Sequence, residues 1–390
     1  MKIKNLFDNS DWQGLKKFEE LPLSQKQIVF YAEDENSMIF YESIINELIC
    51  KYDTTVCYVT SSKNDPILKT SENKIKVFYV GQGVARTKFF LNLKANILIT
   101  TMPDLETFHI KRSKTYPVHY VYIFHSMVST HLIYRKGAFD NFDTIFCVGN
   151  HQIEEIKNTE IRYDLKSKNL IHHGYGHLDK MLEKISTVEE EKFMKDNSIQ
   201  ILVAPSWGSN GLLENIGEEL VNILLSSGFM VIVRPHPVTQ KKSKKMIEKL
   251  ESKFSKKSNF KLEKDVRNFD TFFSSDIMIS DWSGVALEFA FAFEKPILYV
   301  DMPKKVNNLD YKDIKNIPLE VRIREEIGYL VSPLELKLIP EKIKLLIQNT
   351  SKFKKKISHI REESVFNIGN SGKIGAQKII EIINEESKIS

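Results

Sequence analysis

Short apolar runs alternate along this chain with stretches of helical spacing, and that alternation restricts it to one class of fold. Gln27–Ala32, Thr55–Thr60, Lys76–Val80, Ile97–Thr100, Val118–Phe124 and Asp143–Val148 each read as a strand. After the first of them, Met38, Ile39, Tyr41, Ile44, Ile45, Leu48 and Ile49 recur at helical spacing between Ser37 and Lys51. Strands alternating with helices make a parallel sheet with helices on both faces. The pattern restarts with Asn169–His172 and continues through Gln200–Ala204, Met230–Val233, Phe260–Leu262, Asp276–Ile279 and Pro296–Val300. The charged stretch Val188–Asn197 reads as a helical surface connector. The tail from Pro340 reads as two helices split around Asn367–Gly372. The chain's 390 residues are enough for two cores. The expected fold class is α/β, with two Rossmann-like domains facing across a cleft. Residues 1–185 form the N-terminal domain and 198–365 the C-terminal one, with a closing helix in 366–390 that can pack back on the N-terminal domain.

Composition excludes several function classes. A hydrophobic fraction of 42% with 27% charged residues is that of a soluble globular protein. No window approaches the roughly 18 unbroken apolar residues of a membrane span. The N-terminus lacks the apolar core of a secretory signal. Cys50, Cys57 and Cys147 make no disulfide framework and no zinc spacing, so a reducing cytoplasm is expected. The net charge of +5 is mild and no nucleic-acid motif accompanies it, so nucleic acid is not an expected partner. The lysines do cluster, at Lys241, Lys242, Lys244 and Lys245, at Lys253, Lys256 and Lys257, and at Lys352, Lys354, Lys355 and Lys356. Solvated helix faces explain such runs. Attraction to an anionic membrane surface, as a peripheral protein on the inner face of the cell membrane, is the sharper alternative.

Polar residues gather where the second set of strands ends. In an open α/β sheet, ligands sit outside the carboxyl ends of the strands. Ala204-Pro205-Ser206-Trp207-Gly208-Ser209 follows one strand and precedes a helix, Leu212–Ser226. Its small residues let backbone amides approach an anion, with Ser206 among them. Arg234-Pro235-His236-Pro237 follows the next strand. His236 can donate to a phosphate oxygen, and Arg234 can either grip one or brace the loop. Ser280-Asp281-Trp282-Ser283-Gly284 follows a third and leads into a helix, Val285–Phe293. Asp281 or Ser283 can cap that helix. Ser283 and Gly284 also suit a phosphate, and Glu288, one turn in, suits ribose hydroxyls. In the first domain His125 ends an apolar strand, where an imidazole can take a proton from an attacking hydroxyl. His131, His172 and His173 compete for that role. Asp104, Asp140 and Asp143 are candidate supports for the imidazole; Asp140 and Asp143 alternatively fix the loop and the next strand. The aromatic run Tyr120, Tyr122, Phe124, Phe139, Phe142 and Phe146 reads as core packing.

Taken together, Phe124-His125-Ser126, Ala138–Asp143, Gly174-Tyr175-Gly176-His177-Leu178-Asp179, Ala204–Trp207, Arg234–Pro237 and Ser280–Glu288 resemble the CDP-glycerol glycerophosphotransferase family. These are the teichoic-acid and capsule polyol-phosphate transferases. The likeness runs from about Phe30 to Gly372. It implies a GT-B fold, His125 as general base, His236 with Ser283 and Gly284 on the donor pyrophosphate, and Glu288 on the ribose. Where members of the family often continue the first histidine with Gly-Thr-Pro and a lysine, Ser126-Met127-Val128 stands here.

The expected activity is transfer of glycerol phosphate, or a related polyol phosphate, from a CDP-activated donor to an acceptor hydroxyl, with release of CMP. His236 counts with His125 among the expected catalytic residues, and Ser206, Arg234, Ser280 and Asp281 among the donor-binding ones. The expected partners are CDP-glycerol or another CDP-polyol and a lipid-linked glycan or polyol-phosphate acceptor. No metal cluster is visible in the sequence; no cofactor is obligatory and Mg²⁺ is allowed. The rival readings are a GT-B glycosyltransferase or epimerase using a nucleotide sugar, and an inactive membrane-associated scaffold.

Overall fold

The computed structural model describes residues 10–187, 198–266 and 269–389. The expected connector helix Val188–Asn197 lies outside the described residues. The chain divides into two units: Met1–His125 with Tyr134–Lys180 and Val365–Ser390, and Ser126–Ile133 with Met181–Ser364.

Seven strands build the sheet of the first unit: β1 (Ile28–Ala32), β2 (Val56–Thr60), β3 (Ile75–Tyr79), β4 (Ile97–Thr100), β5 (His119–Ile123), β6 (Thr144–Cys147) and β7 (Asn169–His172). All pair in parallel, in the order β3-β2-β1-β4-β5-β6-β7. Every residue of β1, β2, β4 and β6 is buried. Strands covered on both faces lose the polar alternation of a half-exposed sheet, which is why the apolar runs marked them. The aromatic run is core. Tyr120, Tyr122, Phe124, Phe139, Phe142 and Phe146 are all buried, and the Tyr122 ring lies 4.9 Å from Phe124 and 5.0 Å from Phe139.

The C-terminal helix Ser371–Ile389 belongs to this first unit. Ala376, Ile379, Ile382 and Ile383 on its inner face join Tyr41, Ile44, Ile45 and Leu48 of the helix Met38–Cys50 in one core with β1. Asp179 holds its start, accepting from the amides of Gly369 and Ser371 at 2.7 and 2.9 Å. The tail carries one break more than the sequence suggested. Its helices are Ile339–Gln348, Thr350–Ser364 and Ser371–Ile389.

The second unit has six parallel strands: β8 (Gln200–Val203), β9 (Met230–Val233), β10 (Phe260–Leu262), β11 (Ile277–Ser280), β12 (Ile297–Val300) and β13 (Gly328–Val331). Their order is β10-β9-β8-β11-β12-β13. Strand β13 escaped the sequence reading because it is a four-residue edge strand that opens with a glycine and is only half covered. The two compact units divide the chain differently from the expected domains. Ser126–Ile133, placed by sequence in the N-terminal domain, packs in the second unit. Glu320 holds it there: the Ser129 amide and hydroxyl both donate to its carboxylate, at 2.9 and 2.7 Å. The first unit's central stretch ends at Lys180, inside the helix Gly176–Thr187, and not at residue 185.

Both sheets are doubly wound, and each reverses direction between its first and fourth strands, β1 and β4 in one and β8 and β11 in the other. The C-terminal helix contributes to the stability of the first unit. Ile379 is fully buried, and its replacement by Ala should cost about 2–5 kcal/mol, read as a fall in the urea midpoint.

Candidate functional site

In the first unit, β4 and β5 deliver Thr101 and His125 to neighbouring strand ends. His125 Nδ1 lies 3.2 Å from the Thr101 carbonyl oxygen and 3.4 Å from the Tyr122 hydroxyl. A carbonyl only accepts, so the neutral ring carries its hydrogen on Nδ1 and its lone pair on Nε2. Phe40 and Tyr134 meet the ring edge-on, with centroids 6.1 and 5.9 Å away. Burial pushes the His125 pKa down, against the raising effects of the Thr101 carbonyl and the Asp34 charge. The result is an imidazole held neutral with one basic nitrogen.

The motif Gly174–Asp179 supports this arrangement. The Tyr175 hydroxyl donates to the backbone oxygen of His125 at 3.1 Å. Gly174 has a φ of +101°, and a Cβ there would stand 2.3 Å from the Phe366 carbonyl oxygen. Only glycine fits that approach.

The carboxylates expected beside His125 sit elsewhere. Asp143 accepts from Arg112 Nη2 at 2.9 Å and from the Tyr120 amide at 2.8 Å, fixing the start of β6. Asp140 lies in the turn after Gly137, its pKa raised chiefly by burial. Asp104 donates its amide to the Ala138 carbonyl. None of the three hydrogen-bonds to the imidazole; a backbone carbonyl orients it. The competing histidines are also accounted for. His131 is buried in the second unit with Nε2 3.1 Å from the Asn316 oxygen. His172 stacks on Phe366 at 4.3 Å. His173 is buried against the Gly174 carbonyl, and burial pushes its pKa down to about 4.

In the second unit, β8, β9 and β11 end side by side, and their loops hold the predicted donor residues. His236 caps the short helix Pro237–Lys242, its Nδ1 accepting from the Val238 amide at 3.1 Å. The neutral ring therefore carries its hydrogen on Nε2, the opposite tautomer to His125. Burial, then the charge of Lys305, push its pKa down to about 4. At neutral pH it is an uncharged donor.

Ser283 and Gly284 sit at the start of the helix Val285–Phe293. Among the described residues, neither the Ser283 hydroxyl nor the amides of Ser283 and Gly284 make a hydrogen bond. Those donors suit an anion. A Cβ at Gly284 would stand 2.4 Å from Ser126 Oγ, so the loop packs tightly on that segment. Glu288 follows one turn later, close enough for its charge to raise the pKa of Arg234.

Three residues expected on the donor are braces. The Arg234 guanidinium is buried and donates to Glu263 Oε2 through Nε at 2.9 Å and Nη2 at 2.6 Å, while Nη2 also meets Thr271. The Ser280 hydroxyl donates to the Ala204 carbonyl at 2.9 Å inside the sheet. Asp281 is buried and accepts from the amides of Ser206 (2.6 Å), Trp282 (2.7 Å) and Leu212 (3.2 Å). Ser206 thus commits its amide to Asp281, and its hydroxyl makes no hydrogen bond among the described residues. The sequence reading also passed over Lys305, in the loop after β12, whose Nζ lies 4.0 Å from the centre of the Trp207 ring. One lysine of the pair Lys304-Lys305 gives no local sign of such a position.

Residues 16–318 match the family described as CDP-glycerol:poly(glycerophosphate) glycerophosphotransferase. The chain belongs to that family. It is accordingly a glycerophosphotransferase, an enzyme of CDP-glycerol-dependent transfer. A search of curated proteins finds no match. Among solved structures, the glycerophosphotransferase is similar to the wall teichoic acid polymerase TagF soaked with CDPG. The TM-score is 0.61 at 13% identity, over 98% of this chain and 96% of that one. It is also similar to UDP-GlcNAc 2-epimerase from Neisseria meningitidis, bound to UDP-GlcNAc, at a TM-score of 0.63 and 18% identity over 91% of this chain and 99% of that one. A glycosyltransferase from Rickettsia africae is similar at a TM-score of 0.53 and 13% identity, over 93% and 100%. Likeness at these identities is likeness of fold, the GT-B arrangement of two parallel-sheet α/β domains.

The brace assigned to Arg234 has a measurable consequence. Arg234→Met would strip the buried Glu263 of its buried cation and leave it only the exposed Lys261, 3.7 Å from Oε1, which should cost up to about 3–5 kcal/mol. A lowered midpoint in chemical denaturation is the expected result; a midpoint equal to the wild-type value would return Arg234 to the donor.

Proposed function

We propose that this glycerophosphotransferase moves glycerol phosphate from CDP-glycerol to a hydroxyl on a lipid-linked glycan or polyol-phosphate chain, with His125 as general base and His236, Ser283 and Gly284 on the donor diphosphate. The observation that supports this division of labour is the pair of opposite tautomers. Nε2 of His125 has a lone pair, and Nε2 of His236 has a hydrogen. The first can accept the acceptor hydroxyl's proton; the second can donate to a phosphate oxygen.

The acceptor oxygen attacks the β-phosphorus as its proton passes to His125. The bond from that phosphorus to the bridging oxygen breaks, and CMP leaves with the electron pair. The amides at the start of the helix Val285–Phe293 and the His236 N–H are fixed before reaction, so they stabilise the developing charge without reorganising. Glu288 is assigned to the ribose hydroxyls. The GT-B nucleotide-sugar reading has no observation in its favour beyond the shared fold.

His125→Ala should lower kcat by roughly 10²- to 10⁴-fold with calorimetric affinity for CDP-glycerol retained. His236→Ala should weaken CDP-glycerol binding by roughly 10- to 100-fold, the worth of a hydrogen bond to a charged group. Protonated His125 cannot act as a base, and burial favours its neutral form. Turnover should therefore rise with pH along a limb centred below the ordinary value of 6.5 and be flat above it. A limb centred above 6.5 would sink the base assignment. Turnover should persist in EDTA, since no assigned group requires a metal.

Contact with an anionic membrane is also part of the proposal. Among the described residues no helix is long and apolar enough to cross a membrane. The helix Thr350–Ser364 exposes Lys352, Lys354, Lys355 and Lys356 while burying Phe353, Ile357 and Ile360. Lys354 and Lys356 face Glu294 and Glu326 at 3.5 and 3.6 Å, which leaves part of the run for lipid. Sedimentation with phosphatidylglycerol vesicles should decrease on Lys352→Gln with Lys355→Gln; sedimentation no greater than with neutral vesicles would refute surface binding.

A further inference from the structure

Lys305 is a half-buried cation whose position its structural contacts do not explain. Its ammonium rests on the Trp207 ring, 4.0 Å from the centroid. Trp207 follows β8 and lies 6.2 Å from the His236 ring, centroid to centroid. Among the described residues the ammonium forms no hydrogen bond and no ion pair. Burial lowers its pKa, opposed by the charges of Asp281 and Glu214, and its own charge acts on His236. Asp281 is already occupied by three backbone amides. An ammonium withdrawn from water without a hydrogen-bond acceptor is costly unless a ligand supplies one. The aromatic face offsets a part of that cost, about 0.5–2 kcal/mol.

We infer that Lys305 is a further donor-site residue, whose ammonium contacts the diphosphate of a nucleoside diphosphate ester beside His236 and neutralises the charge that gathers on the departing nucleotide. This rests on the function proposed above. The chemistry balances without it as a proton carrier. The bond from the acceptor oxygen to the β-phosphorus forms, the bond to the bridging oxygen breaks, the electron pair leaves on CMP, and the hydroxyl proton goes to His125. Lys305 stays an ammonium throughout. The Trp207 ring, which neighbours His236, holds the ammonium in place, so little rotamer freedom is lost when the anion arrives.

The test compares wild type, Lys305→Met and Lys305→Arg, with Lys242→Met as control. Lys242 is exposed and reaches the same Trp207 ring at 5.1 Å, so it reports the effect of removing a nearby surface charge. CMP release from CDP-glycerol and calorimetric binding of CDP are measured for each, with an unfolding midpoint to confirm that each folds. Lys305→Met should lower kcat by roughly 10²- to 10³-fold, the cost of losing one preorganised charge-stabilising donor. It should also weaken CDP binding, and Lys305→Arg should recover part of both. A folded Lys305→Met protein with unchanged kcat and CDP affinity would overturn the inference, as would an equal loss in Lys242→Met. If wild type releases no CMP from CDP-glycerol yet binds CDP in a Lys305-dependent way, the glycerol-phosphate reading fails and the assignment of Lys305 to the diphosphate stands.

Discussion

A single buried carboxylate organises the loops at the strand ends of the second unit. Asp281 follows β11 and accepts backbone amides from its own loop, from the loop after β8 and from the first residue of the helix Leu212–Ser226. Those two strands flank the point where the second sheet reverses its winding. Each amide to a charged acceptor is worth roughly 1.5–3 kcal/mol. With the loops tied inward by Asp281, Ser283 and Gly284, two and three residues further on, keep their amides uncommitted. The brace and the uncommitted amides are neighbours in one five-residue segment, Ser280–Gly284.

The two histidines show how backbone groups assign chemistry to chemically identical side chains. A carbonyl at Nδ1 leaves His125 a lone pair at Nε2, and an amide at Nδ1 leaves His236 a hydrogen at Nε2. Burial keeps both neutral. Neither needs a carboxylate partner, and the nearby aspartates have structural work instead. Asp143 starts a strand and Asp179 starts the C-terminal helix. That helix is remote in sequence from the rest of the first unit, yet its isoleucines complete the core on which the strand carrying His125 depends.

The strands were legible because a parallel sheet covered on both faces has to be written in unbroken apolar residues. Strand β13 was not, since a short edge strand with a glycine and two half-covered residues carries little of that signal. The positions of His125, His236, Ser283 and Gly284 at strand ends were legible for the same reason. What stayed open in the sequence was the chemistry of neighbouring polar residues. Arg234, Ser280 and Asp281 look the same in sequence whether they reach out to a ligand or in to the protein. The acceptors that decide it, Glu263, the Ala204 carbonyl and the amides of Ser206 and Leu212, are distant along the chain.

From its order of residues alone, this protein had to be a pair of doubly wound α/β units with histidine, serine and glycine where strands stop, because hydrophobic periodicity is a local property of the chain. Tertiary structure decided which way each polar side chain turns, which nitrogen of each imidazole holds the hydrogen, that Ser126–Ile133 is held by Glu320, and that Lys305 lies over Trp207. Those outcomes depend on hydrogen-bond partners and burial contributed by residues far away in sequence, and they exist only once the chain has folded.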